Sequence, residues 1–406
     1  MKVLYIHQYF KTPEEGGAIR SYYLARGLVE HGIEVELITA YNERKAITRN
    51  IDGINVHYLP VFYDNSQSFL QRIYAFFKFM HLARKKAREI NDIDICYATS
   101  TPLTIGLSAL KIKRDQDIPY LFEVRDLWPE APFQMGIIKN KYLKKYLKKL
   151  EKEVYENASQ IVALSPGIKQ QIEKVRPNKQ ITIIPNMSDV DFFQPEEKSA
   201  ELEALFKSEG KFVISYFGTI GMANHLEYLL AVANESLKAK LPVLFFIIGS
   251  GGQLDRIKYL VKHFSLTNVL FLPFQNKYNL KRVLNVTDAA YVSFARKPIL
   301  ETNSPNKFFD ALAAGKLIIT NTKGWVKDIV ENDSCGFYYD PDKPVDFVNR
   351  LMPYIETTQK LRSAQMRARI IAETRFAKSA QVKKLIELIS KTNHKHKTGQ
   401  VKTDYT

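Results

Sequence analysis

The sequence predicts an α/β protein built from two doubly wound, Rossmann-like domains facing a cleft. Three observations carry that expectation. A strand, loop, helix, strand series opens the chain, the same series restarts near residue 212, and 406 residues suffice for two domains that each bury their own core. In the first half, residues 2–7 are an apolar run of strand length, a loop with Pro and two glycines reaches Gly17, residues 18–30 have helical periodicity, and residues 35–39 form the next strand. Right-handed crossovers make such a unit a parallel sheet. Further strands are expected at 54–59, 93–97, 120–124, 161–164 and 181–184, so the first domain spans 1–190.

The second half repeats the pattern after a charged, helix-prone stretch at 195–210. Strands are expected at 212–217, 243–248, 268–272, 289–294 and 317–320, alternating with helices at 224–238, 253–264, 278–284 and 306–314. That is a second doubly wound domain over 191–376. A last helix at 377–390 has the length to cross back to the first domain, and the polar stretch 391–406 is expected to be a disordered tail.

Composition narrows the class. Hydrophobic residues at 45% and charged residues at 25% are those of a globular chain. The N-terminus lacks the longer apolar core and small-residue cleavage site of a signal peptide, and no run of about 18 apolar residues occurs, so a cytoplasmic protein is expected. Cys96 and Cys335 fit no metal or redox spacing and read as ordinary buried thiols. A net charge of +16 calls for an anionic partner: nucleic acid, anionic lipid or a phosphorylated substrate. Nucleic acid is disfavoured, since no helix-turn-helix, RRM or zinc-finger pattern is present. Two basic blocks stand out. Residues 139–154 carry Leu143, Leu147, Leu150 and Val154 at helical spacing among lysines, and residues 69–88 put aromatics first and cations last. A core-packed helix with a solvated face and a helix lying at a membrane interface both fit these patterns.

The candidate site residues cluster at loops. Gly16 and Gly17 follow the first strand and allow close backbone approach of a ligand; Gly218 and Gly221 occupy the equivalent loop of the second half, and Gly249 follows its next strand. None of these is a GxGxxG fingerprint. The stretch from Glu301 through Asn303, Ser304, Pro305, Asn306, Lys307 and Asp310 to Gly315 reads as a helix opening, with Ser304 as N-cap and Pro305 at the first helical position. Its N–H groups and Lys307 suit a phosphate. Asp310 lies roughly 9 Å further along the axis at 1.5 Å per residue, where a carboxylate can accept hydrogen bonds from ribose hydroxyls. Arg125 and Asp126 end a strand within Glu-Val-Arg-Asp-Leu-Trp-Pro, Glu123 to Pro129; Asp126 is either an Asx-turn residue or a group facing the cleft.

Together these features resemble a GT-B glycosyltransferase of the large retaining family 4, over nearly the whole chain. The likeness is greatest to bacterial enzymes of O-antigen and capsule assembly in the N-acetyl-L-fucosamine transferase group, whose first domain likewise carries Glu-Val-Arg-Asp-Leu-Trp-Pro. The resemblance implies a nucleoside-diphosphate sugar donor, expected to be UDP-linked, bound by Gly16, Gly17, Gly218, Gly221, Gly249, Asn303 to Lys307 and Asp310. It implies catalytic roles for Asp126, Arg125 and Glu301. The acceptor it implies is a lipid-linked glycan on polyprenyl diphosphate, met peripherally at the inner face of the cytoplasmic membrane. No metal or other cofactor is required if helix N-termini and Lys307 carry the leaving diphosphate's charge. The chain departs from the family pattern at three places. Thr302 holds the position of the first of two paired acids, Thr219 and Asn224-His225 replace an Arg and a Lys that clasp the diphosphate, and Arg125 stands where many members have His. Two other readings share the architecture: a nucleotide-sugar 2-epimerase and a non-catalytic scaffold subunit.

Overall fold

The structure, a computed structural model, describes residues 1–16, 19–64 and 67–399. The chain divides into two compact units, one comprising Met1–Thr12, Ala18–Pro185 and Ser379–Thr406, the other Pro13–Gly17 and Asn186–Lys378. The division falls at Pro185, against 190 expected from the sequence, and the short 13–17 segment groups with the second unit.

The first unit runs β1 (Lys2–Ile6), α1 (Arg20–Glu30), β2 (Glu34–Tyr41), β3 (Ile47–Ile51), β4 (Ile54–Pro60), α2 (Phe69–Ala87), β5 (Ile95–Thr99), α3 (Thr104–Gln116), β6 (Tyr120–Val124), α4 (Glu130–Gln134), α5 (Lys141–Asn157), β7 (Gln160–Ala163), α6 (Pro166–Val175) and β8 (Ile181–Ile183). Among the described residues its strands form one sheet in the order β3-β4-β2-β1-β5-β6-β7-β8, parallel except where β3 meets β4. β5 and β6 are buried along their whole length, as expected of parallel strands covered by helices on both faces. The order reverses between β1 and β5, and open α/β sheets bind ligands outside the carboxyl ends of the strands at such a point.

The second unit runs α7 (Ala200–Phe206), β9 (Phe212–Phe217), α8 (Glu227–Lys238), β10 (Val243–Ile248), α9 (Leu254–His263), β11 (Val269–Leu272), α10 (Lys277–Val286), β12 (Ala289–Val292), a 3-10 turn at Pro298–Thr302, α11 (Asn306–Ala313), β13 (Leu317–Thr320), α12 (Trp325–Asn332), β14 (Gly336–Tyr338), α13 (Pro344–Glu356) and α14 (Thr358–Arg375). Its sheet is ordered β11-β10-β9-β12-β13-β14 and reverses between β9 and β12. Ile214, Tyr216, Phe245, Ile247, Tyr291 and Ile319 fill one face of that sheet against α8 and α13 residues such as Leu229 and Phe347.

The last helix, α15 (Lys378–Lys397), is longer than the sequence indicates. The expected disordered tail from 391 is corrected up to Lys397: Leu388, Ile389 and Thr392 are buried, which carries the helix past its last apolar residue, and Lys397 Nζ reaches Asp94 at 2.7 Å. Val382 of this helix sits against Gly27 of α1, so closely that a Cβ on Gly27 would fall 2.5 Å from a Val382 methyl. Residues 400–406 of that tail, like Gly17, lie outside the described residues.

Candidate active site

At the reversal point of the second sheet, the loop after β9 and the first turn of α11 meet. Gly218 has φ +134°, and a Cβ there would lie 3.3 Å from Lys307 Cε and 3.5 Å from its Nζ. The Lys307 ammonium rests 3.9 Å from the Tyr216 ring centroid and 6.0 Å from that of Phe294. Lys307 is 9% exposed and, among the described residues, has no carboxylate partner. Burial alone pushes its pKa down to about 7. The cation is held by ring faces rather than by an anion. A buried cation beside the first N–H groups of a helix is an arrangement that suits an anion chemically.

Asp310 follows one turn later on α11. Burial raises its carboxyl to about 7, with nearby Lys277 pulling it down and Asp189 pushing it up. Asp189 is buried and pairs with both Lys277 and Lys378, the latter at 3.1 Å, so the charge of Lys277 is already engaged. Lys277 also lies 4.2 Å from the Phe192 ring centroid. Asp310 is therefore a half-buried carboxyl beside a compensated ion cluster, placed to accept polyol hydroxyls.

The expected N-cap at Ser304 is corrected. α11 begins one residue later, with Pro305 in the cap position and no side-chain cap. The Ser304 hydroxyl instead accepts the Asn186 N–H at 3.2 Å, and the Ser304 carbonyl accepts the Asn186 side-chain amide at 2.5 Å. The Asn303 carbonyl accepts the Trp325 indole N–H at 2.8 Å. These contacts fix the backbone that presents Asn306 and Lys307. Thr302 donates its hydroxyl to the Ile299 carbonyl at 2.7 Å, a bond that a carboxylate could not make. Glu301, on the same 3-10 turn, is half-buried, and its carbonyl lies where a Cβ on Gly324 would collide with it.

The glycines divide by role. A Cβ on Gly249 would fall 2.0 Å from the Gly218 carbonyl oxygen, and one on Gly251 2.3 Å from that of Ile220. These glycines let the two loops pack backbone on backbone, with Ile220 N–H donating to the Ser250 carbonyl at 2.8 Å. Gly221 meets nothing closer than 3.5 Å, whereas Gly16 would place a Cβ 3.0 Å from the Phe274 ring.

In the first unit, Glu123 is wholly buried and organises the interior. Its Oε2 accepts Arg20 Nε at 3.0 Å, Arg20 Nη2 at 2.7 Å and the Tyr97 hydroxyl at 2.6 Å. Arg20 also donates to the carbonyls of Ile184 and Pro185, where the first unit's main segment ends. Two residues on, Arg125 donates its N–H to Ser100 Oγ at 3.0 Å and its guanidinium to His7 Nε2 at 3.1 Å. His7, at the end of β1, is buried, and desolvation followed by the Arg125 charge holds its pKa well below the usual value. It is a neutral imidazole that accepts from Arg125. Sequence reasoning did not assign His7 a role; its place directly after β1, at the sheet's reversal, was the available signal. Asp126 has open surface on its side chain, yet crowded surroundings raise its carboxyl above the usual value while Arg125 lowers it. Arg125, Asp126 and His7 thus share one end of the sheet. Among the described residues, no group of three or more His, Cys, Asp or Glu is placed to hold a metal ion.

Residues 15–192 match the model of Glycosyltransferase Family 4, and residues 197–375 that of Glycosyl transferases group 1. The chain belongs to these glycosyltransferases, and its fold is that of the GT-B enzymes. A stretch of 148 residues is 28% identical to the colanic acid biosynthesis glycosyl transferase WcaI of Escherichia coli, covering 36% of this chain and 35% of that one. A longer match, 21% identical, spans 65% of this chain and 73% of the spore coat protein SA of Bacillus subtilis. The chain thus spans about a third of the length of the first of these relatives. Similar solved structures include the sucrose-phosphate synthase of Thermosynechococcus elongatus, at 16% identity with a TM-score of 0.78, covering 96% of this chain and 98% of that one. HepE of Anabaena in complex with UDP and glucose is 17% identical with a TM-score of 0.69, covering 96% and 99%. At these identities the structures speak for the fold.

Proposed function

We propose that this glycosyltransferase moves a sugar, with retention of anomeric configuration, from a UDP-sugar to a lipid-linked glycan acceptor in the assembly of a surface polysaccharide. The observation that carries the donor half is Lys307, a buried ammonium with no carboxylate partner among the described residues, at the opening of α11 and against Gly218. A donor diphosphate placed there gains a charge-assisted contact in a site shielded from water. Asp310 takes the ribose hydroxyls. The C1–phosphate bond breaks as the acceptor oxygen bonds to C1 on the same face, and the acceptor proton passes to the leaving diphosphate oxygen, so no separate base is needed. Asp126, oriented beside Arg125, positions the acceptor or the donor sugar, and Glu301 lies in the turn that precedes α11. Charge neutralisation by Lys307 and the helix N–H groups makes the reaction independent of metal. The acid engaged in the ion cluster beside Asp310 is Asp189, a residue that sequence reasoning did not weigh.

The name of the Escherichia coli relative supports a polysaccharide role, and the name of the Anabaena structure supports UDP as the nucleotide. Among the described residues no helix is long and apolar enough to cross a membrane. The lysines at 144, 145, 148 and 149 of α5 supply electrostatic attraction to an anionic leaflet, about 1 kcal/mol for each charge near the surface. The protein is then peripheral on the cytoplasmic face. Exchanging the four for glutamine should weaken binding to anionic vesicles, and unchanged binding would remove that surface from the proposal.

The decisive experiment measures binding and turnover of UDP-, GDP- and dTDP-sugars, with and without a polyprenyl-diphosphate-linked acceptor, for the wild type and Asp310→Ala. Turnover that requires acceptor and falls at least tenfold in the variant is expected. Acceptor-free isomerisation would identify an epimerase instead, and absence of sugar-nucleotide binding would leave a scaffold.

A further inference from the structure

The apolar stripe of α5 changes partner along its length. Val154 packs into the core against Gly106 of α3, where a Cβ would fall 2.5 Å from its methyl, and Tyr155 is buried beside it. Towards the N-terminus, Leu143, Leu147 and Leu150 line an open cavity of about 230 Å³. Ile73 and Phe76 of α2, Leu107 of α3 and Trp128 close its other sides. This volume lies below the roughly 300–1,000 Å³ of ordinary small-molecule sites, so it suits part of a longer apolar molecule.

The surface around the mouth is equally unusual. Phe77 of α2, Ile137 just before α5, and Tyr146 of α5 line the cavity and are nevertheless 47%, 58% and 58% exposed. Apolar side chains gathered in this way mark an interaction surface rather than a solvated one. One ionic side chain, Arg72, lines the cavity, and its Nε is buried without a hydrogen-bond partner among the described residues. The chemistry that fits is an apolar chain ending in an anion.

The cavity also adjoins the acceptor end of the sheet. Tyr63 lines it and stacks on Phe76; the Tyr63 ring lies 4.8 Å from that of Tyr9, which lies 6.4 Å edge-on from His7, the acceptor of the Arg125 bond. Trp128 lies two residues after Asp126, so one loop serves both the cavity and the polar group. We propose that the cavity takes the phosphate-proximal end of the acceptor's polyprenyl chain, with Arg72 on the phosphate, so that the linked sugar lies beside Arg125 and Asp126. This rests on the reading of the acceptor as lipid-linked.

The test uses the full chain and a geranylgeranyl phosphate carrying a photoreactive group near its phosphate, with cross-links mapped by mass spectrometry and affinity measured by competition. Labelling within α2, α3 or α5 is expected, with at least tenfold weaker binding in Leu107→Trp, which fills the cavity. Arg72→Gln, which leaves the apolar walls intact, should weaken geranylgeranyl phosphate about tenfold and leave geranylgeraniol unchanged. Equal binding by wild type and both variants, or labelling elsewhere, overturns the cavity while preserving a lipid acceptor. Absence of any prenyl phosphate binding by a wild type that still binds its UDP-sugar overturns the cavity and the lipid-linked acceptor together.

Discussion

Two buried cations, one in each unit, have opposite surroundings. Arg20 is 3% exposed and fully engaged: Glu123 takes two of its N–H groups and two backbone carbonyls take others. Lys307 is 9% exposed and lies over aromatic rings, with no carboxylate partner among the described residues. A buried ion whose partners are all present belongs to the architecture. One without a counter-charge stays ionised at a cost in solvation that ring faces offset only in part, which is the electrostatic pattern that binding sites favour. The same topology thus carries a compensated ion pair in one unit and, on the proposed reading, an anion site in the other.

The largest expected effect breaks the first half of this contrast. Glu123→Gln keeps the shape but leaves the Arg20 guanidinium without its counter-charge, and should destabilise the first unit by about 3–5 kcal/mol in denaturant unfolding. A loss below about 1 kcal/mol would mean that the carbonyls of Ile184 and Pro185 suffice. In the second unit the sign inverts. Lys307→Met removes an unpaired buried charge while retaining its apolar stem, so the melting temperature should hold or rise. Affinity for UDP-sugar should nevertheless fall about a hundredfold, the equivalent of about 2.7 kcal/mol. A variant that loses stability and keeps its affinity would make Lys307 a packing residue.

The contrast also explains which parts were legible in the sequence. The buried parallel strands announced themselves as apolar runs, and the restart at 212 gave the second unit, because covering helices force both faces of a strand to be apolar. β3 has no such signal: four of its five residues are exposed. The Asp52-Gly53 turn that pairs it with β4, with both residues at positive φ, was the mark available. Lys307 was legible as a cation at a helix opening, but its burial and its lack of an anion were not, since both depend on Tyr216 and Gly218, far off in sequence. Ser304 had the chemistry of an N-cap, and tertiary contact with Asn186 diverted its hydroxyl. The Arg72 cavity was invisible for the same reason: it forms where α2, α3 and α5 meet, from residues that each read as helix core or helix surface.

The smallest effect sharpens the contrast through pH. In the empty protein burial holds Lys307 near 7, so below that pH the ammonium already carries the charge a diphosphate needs. Above it the side chain is neutral, and binding must first take up a proton; a bound diphosphate restores the ammonium by raising its pKa. A nucleoside-diphosphate sugar keeps its own charge across this range, so its affinity should fall about tenfold between pH 7.5 and 8.5, with a proton taken up on binding in calorimetry across buffers of different ionisation enthalpy. Asp310, also near 7 and flanked by Lys277 and Asp189, ionises in the same window. Its new negative charge lies near the diphosphate and opposes binding, although the ionised carboxylate is the better acceptor for ribose hydroxyls. The Asp310→Asn variant separates the two: the pH dependence that survives in it belongs to Lys307, and Lys307→Arg, which stays charged throughout, should flatten that remainder. Arg20, paired with Glu123 and always protonated, contributes nothing to the profile, so a profile unchanged by both substitutions would place the titrating group outside α11.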